Sequence, residues 1–176
     1  RDGELLRPLD LGALRRVIGD ACAGLDGVSG DAIVEAALRN LYDGVPLTEM
    51  WKSVILSARV LIEKDPGYCK ATARLLLHTI RREVLGEDVD ASAMAARYGE
   101  YFADFVRAGI QAELLDPRLA EFDLRRLGAA LRADRDGEFT YLGLQTLYDR
   151  YFLHVDERRI ELPQAFFMRV AMGLAI

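Results

Sequence analysis

Cysteine and histidine are scarce in this chain, two of each, and tryptophan occurs once. Cys22 and Cys69 lie far apart in stretches that read as helical, outside any CxxC pair and without a histidine neighbour. That excludes a disulfide scaffold and a zinc ribbon, and casts both as small core residues of a reducing compartment. His78 and His154 have no ligand-type neighbour at helical spacing, so no metal site is expected. No apolar run reaches the roughly 18 residues that a bilayer span requires, and Arg1-Asp2-Gly3-Glu4 lacks the form of a signal peptide. The expected setting is cytoplasmic, with no membrane partner. Basic charge is not in excess either: 23 Lys and Arg against 28 Asp and Glu leave a net charge of −5. Both halves share that balance, so the chain lacks the basic face that nucleic acid would select.

What is present is ordinary globular composition, 51% apolar and 29% charged over 176 residues, enough for one large domain or two small ones with a real core. Both ends read as cut: residues 1–3 resemble a hairpin turn without its preceding strand, and an apolar helix opened by Pro163 runs to Ile176 without a cap. The expectation is a piece of a longer polypeptide. Leu5 to Leu9 is a short strand candidate. Leu11, Leu14, Val17, Ile18, Ala21 and Leu25 then recur at helical spacing. Ser29 or Asp31 can cap a second helix, Thr48 a third ending near Lys64, and Asp65-Pro66 a fourth running to Gly86. The acidic run 87–90 is the expected boundary. Beyond it come an aromatic-rich helix from Met94 to Ile110, one helix capped by Asp116-Pro117 and reaching Leu131, and a turn at Arg135-Asp136-Gly137. A helix from Phe139 to Phe152, a β-hairpin around Asp156-Glu157-Arg158 and the final helix follow. The fold class is mainly α.

The chemistry-bearing motifs are few. Asp134, Asp136, Gly137 and Phe139 have an EF-hand flavour, but the first ligand position is Arg132 and the twelfth Gly143, which excludes calcium. Glycine-rich phosphate loops, HExxH helices and GxSxG elbows are missing. The RDGE tetrapeptide at 1–4 and 135–138 is a chance recurrence in a chain rich in these residues. Cys22 and Cys69, embedded in helices without a histidine neighbour, do not read as nucleophiles. No catalytic residue is expected in this chain.

Two stretches resemble a known family. FTYLGLQTLYDRYF at 139–152 and RIELPQAFFMRVAMG at 159–173 resemble the N-terminal helical region of the large subunit of class I ribonucleotide reductase. Arg1-Asp2-Gly3, Leu41-Tyr42-Asp43-Gly44-Val45, Tyr68 and Ala73-Arg74-Leu75 resemble the ATP-cone that precedes that region. The resemblance implies a four-helix cone with a short N-terminal strand over 1–86, a linker at 87–90, and over 91–176 a helical region truncated before the catalytic barrel. It also implies a parent that reduces ribonucleoside diphosphates by radical chemistry. The partners it implies are other large subunits and a radical-generating small subunit, with the redox cysteines in the barrel.

In that family the cone binds ATP or dATP as an activity switch, and this sequence departs from its pattern. Leu6 stands where the resemblance implies Glu, next to a retained Arg7. Ala13 replaces Lys, Leu47 replaces Thr, and Trp51 replaces His or Asp. Arg82 keeps its basic character. Charge-assisted hydrogen bonds contribute about 1.5–3 kcal/mol each, so losses at these positions would abolish micromolar binding. The reading is a degenerate cone kept for structure or subunit contact, with no cofactor bound. The alternatives are a working ATP/dATP allosteric site and a helical protein-interaction module. A cone-bearing DNA-binding repressor is excluded for want of a zinc ribbon and a basic face. Limited proteolysis tests the boundary: first cleavage is expected within 87–90, and primary cleavage within 50–62 would overturn it.

Overall fold

Asp10 opens the first helix by accepting a hydrogen bond from the Ala13 N–H at 2.8 Å, the N-cap arrangement that satisfies an otherwise orphaned donor. The computed structural model describes residues 6–89 and 92–176. Its helices are α1 (Leu11–Cys22), α2 (Gly30–Leu38), α3 (Leu47–Val60), α4 (Tyr68–Leu85), α5 (Met94–Gln111), α6 (Leu124–Ala129), α7 (Tyr141–Arg150) and α8 (Pro163–Gly173). Short 3-10 segments occupy Leu61–Glu63, Pro117–Glu121 and Ala133–Glu138. An antiparallel hairpin of β1 (His154–Val155) and β2 (Arg158–Arg159) pairs His154 with Arg159 and Val155 with Arg158. The fold is mainly helical, with one small hairpin among the described residues, as the apolar spacing and turn residues dictate.

Several local expectations are corrected. Residues 6–9 adopt no strand, because the described residues offer them no ladder partner; Leu5 and the turn at residues 1–3 lie outside the described residues. Thr48 is not the cap of α3. Pro46 takes that place, extended at φ −61° and ψ 145°, and its carbonyl already accepts from the Met50 N–H at 2.9 Å. The single helix foreseen from Asp116 to Leu131 is broken: Phe122 is extended, and Asp123 caps α6 anew by accepting from the Arg126 N–H at 3.0 Å. Residues 135–137 belong to a 3-10 segment rather than a simple turn. α7 is shorter than 139–152, and α8 ends at Gly173 with Leu174 as its C-cap.

Residue contacts group the chain into two units: 6–76 with 140–142, and 77–139 with 143–176. α4 supplies Tyr68–Leu76 to the first and Leu77–Leu85 to the second. In the first unit α1 packs on α2 and α2 on α3, closing a core that includes Ile18, Ile33, Val54, Ala58 and Leu75. The Ser29 N–H donates to the Tyr68 hydroxyl at 3.0 Å, and Arg74 donates to the Ala21 and Ala23 carbonyls at the end of α1. These bonds tie α4 to both ends of the α1–α2 connection. In the second unit α5 crosses α6 closely, over a core of Met94, Tyr98, Phe102, Leu144 and Leu162. Glu87 and Asp88 lie inside this unit, paired with Arg97 and Arg82.

The α5–α6 crossing depends on an absent side chain. A Cβ at Gly128 would sit 3.1 Å from the Gly99 carbonyl oxygen and 3.2 Å from the Phe102 Cβ, whereas one at Gly19, on an exposed face of α1, would meet nothing within 4 Å. Gly128→Ala is therefore expected to destabilise the protein by about 1–3 kcal/mol through overpacking. Gly19→Ala is expected to stabilise it by about 0.5–1 kcal/mol. Urea midpoints of the two variants would read these opposite signs, and a stabilised Gly128→Ala would refute the packing argument.

Candidate functional site

The first unit holds an open cleft of about 660 Å³, a size that suits small-molecule sites. Its walls come from the segment before α1 (Arg7, Pro8, Leu9 and Asp10), from the loop Leu41–Val45, and from Leu47 and Met50 of α3. The loop turns sharply at Gly44, whose φ of +79° an L side chain rarely adopts. The lining is mostly apolar. Its charged members among the described residues are Arg7 against Asp10 and Asp43, a balance of one cation to two carboxylates that repels a polyanion. Asp10 is further engaged as the α1 cap.

The residues singled out in the sequence do not converge on this cleft. Arg7 and Leu47 line it. Trp51, one turn further along α3, is 7% exposed and packed in the core. Leu6 is 75% exposed, with its Cδ2 within 3.9 Å of where a Cβ at Gly44 would stand, and does not line the cleft; Ala13 is half-buried on α1. Arg82 belongs to the second unit, where its Nη1 lies 3.2 Å from both Asp88 carboxylate oxygens.

The second unit buries polar groups that the sequence reading did not single out. Asp136 is 3% exposed and accepts from Arg81 Nη2 at 3.0 Å, Tyr98 Oη at 3.0 and 3.2 Å, and Gln164 Nε2 at 2.9 Å. The Gln164 backbone N–H donates in turn to Tyr98 Oη at 3.3 Å. Burial pushes the Asp136 carboxyl up, opposed by Gln164, Arg81 and Tyr98, which favour the carboxylate. Burial likewise drives the Tyr98 hydroxyl well above its ordinary value. Glu161, fully buried, accepts from Arg169 Nε at 2.6 Å and Nη2 at 3.1 Å and from the Leu153 N–H at 3.0 Å. Glu83 accepts from the Tyr148 hydroxyl at 2.7 Å and the Arg159 N–H at 2.6 Å. Burial, with Glu83 beside it, pushes Tyr148 up to about 12.

Chemically, these networks hold segments together. A general acid or base needs a face open to its substrate, and the Asp136 and Glu161 carboxylates spend their lone pairs on protein donors. Tyr98 could have been flagged, since it sits in the apolar row Met94, Tyr98, Phe102 and carries a hydroxyl that burial obliges to find a partner. Asp136 gives no such signal; it reads as a turn residue. Cys22 and Cys69 are free thiols, half-buried, and burial raises the Cys22 value. His78 lies with Nε2 3.7 Å from an Asp88 oxygen, and burial lowers its value. His154 is exposed on β1. Among the described residues no group of His, Cys, Asp and Glu could hold a metal ion, and no helix is long and apolar enough to cross a membrane.

Residues 137–176 match the family model described as ribonucleotide reductase, all-alpha domain. A subunit alpha of ribonucleoside-diphosphate reductase from Chlamydia muridarum is 39% identical over 158 residues, covering 89% of this chain and 15% of that protein. The chain is a relative of ribonucleotide reductase large subunits over most of its length. The subunit alpha of Helicobacter pylori is 32% identical over 177 residues, 99% of this chain and 21% of its own. The large subunit of Danio rerio is 28% identical over 155 residues, 87% and 19%. This ribonucleotide reductase relative thus spans about a fifth or less of the proteins it matches. The matched all-alpha segment contains Glu161, Gln164 and Arg169, so the buried networks anchor the helix that ends it.

The Asp136 network makes a pH prediction. With its value raised above the ordinary 3.8, Asp136 binds its proton more tightly in the folded state than in the unfolded chain. Its contribution to stability is thus present at low pH and falls as pH rises from about 4 through the folded value. Denaturant titrations of wild type and Asp136→Asn across that window should show wild type losing stability relative to the variant. A relative gain would mean that Arg81 outweighs burial.

Proposed function

We propose that this chain is the regulatory and structural N-terminal part of a ribonucleoside-diphosphate reductase large subunit, and that its first unit is a cone that does not bind ATP or dATP. The relatives over most of the chain support the first half of this reading. The charge of the cleft carries the second: its described lining sets one arginine against two aspartates, with Leu47 at the mouth of α3 and Trp51 withdrawn into the core. A nucleoside triphosphate requires converging cations and donors, and the described lining, mostly apolar and net acidic, offers the reverse. The unit then serves structure or subunit contact within an assembly of large subunits and a radical-generating small subunit. The parent carries out the reduction of ribonucleoside diphosphates, through cysteines of a barrel beyond this chain.

A working allosteric site is the second reading, and it draws on Arg7 at the wall of a cleft large enough for a nucleotide. Titration calorimetry of the 176-residue chain separates the two. Neither ATP nor dATP is expected to bind more tightly than about 100 μM, or −5.5 kcal/mol. Tighter binding, lost in Arg7→Ala, would establish the allosteric site instead. The isolated chain is also expected to reduce no ribonucleoside diphosphate, since on this reading the radical chemistry needs the parent's barrel cysteines and the radical-generating small subunit. Turnover by the purified chain in a diphosphate reduction assay would overturn the assignment.

A further inference from the structure

We draw no further inference here: the strongest candidate, the exposed apolar stripe of Phe167, Val170 and Leu174 along α8 with Phe139 stacked on Phe167, is an unpartnered helix face, and nothing in the structure shows what covers it.

Discussion

Burying the Asp136 carboxylate with Arg81, Tyr98 and Gln164 around it is the constraint on which the second unit depends. An ionised carboxylate taken out of water is costly unless every lone pair finds a donor. Those donors come from α4, α5 and α8, and the acceptor comes from the 3-10 segment Ala133–Glu138. If any of these elements shifts, a charged or polar atom is left unpaired in an apolar core. The helices are therefore held to one arrangement by polar geometry as much as by apolar burial. Glu161, with Arg169 and the Leu153 N–H, extends the same logic from α8 to the hairpin that precedes it.

The first unit is organised differently. Its core is apolar, and its polar contacts serve helix ends: Asp10 and Ser29 cap α1 and α2, and Arg74 satisfies carbonyls at the end of α1. The cleft lies where this scaffold stops, between the segment before α1, the Gly44 loop and the start of α3. Leu47 in its wall makes a helix N-terminus, ordinarily hospitable to anions, an apolar surface, while the Trp51 indole one turn on is withdrawn into the core. That surface supports the proposal of a cone retained for structure or contact rather than for nucleotide sensing.

Sequence alone determined the helical class, the presence and approximate placement of α1, α2, α4 and α5, a hairpin around Asp156-Glu157-Arg158 and the likeness to the reductase large subunit, although the apolar row to Leu25 overran the end of α1 at Cys22. Each of these rests on information within a few residues: apolar spacing, a capping Ser29, a turn at Asp156 and Glu157, which take positive φ. The break at Phe122 and the displaced start of α3 were not legible, because a second cap competes with helix continuation and a proline carbonyl can start a helix before the nearest threonine. Tertiary structure decided which polar residues go inside. Asp136 and Asp134 are alike in sequence, two residues apart in one short segment. Asp136 is buried against donors from three helices, and Asp134 faces Arg132 at the surface. It also decided that Arg7 and Leu47 share a cleft while Trp51 and Arg82 do not line it. Burial and convergence depend on contacts between residues remote in the chain, and no local pattern encodes those.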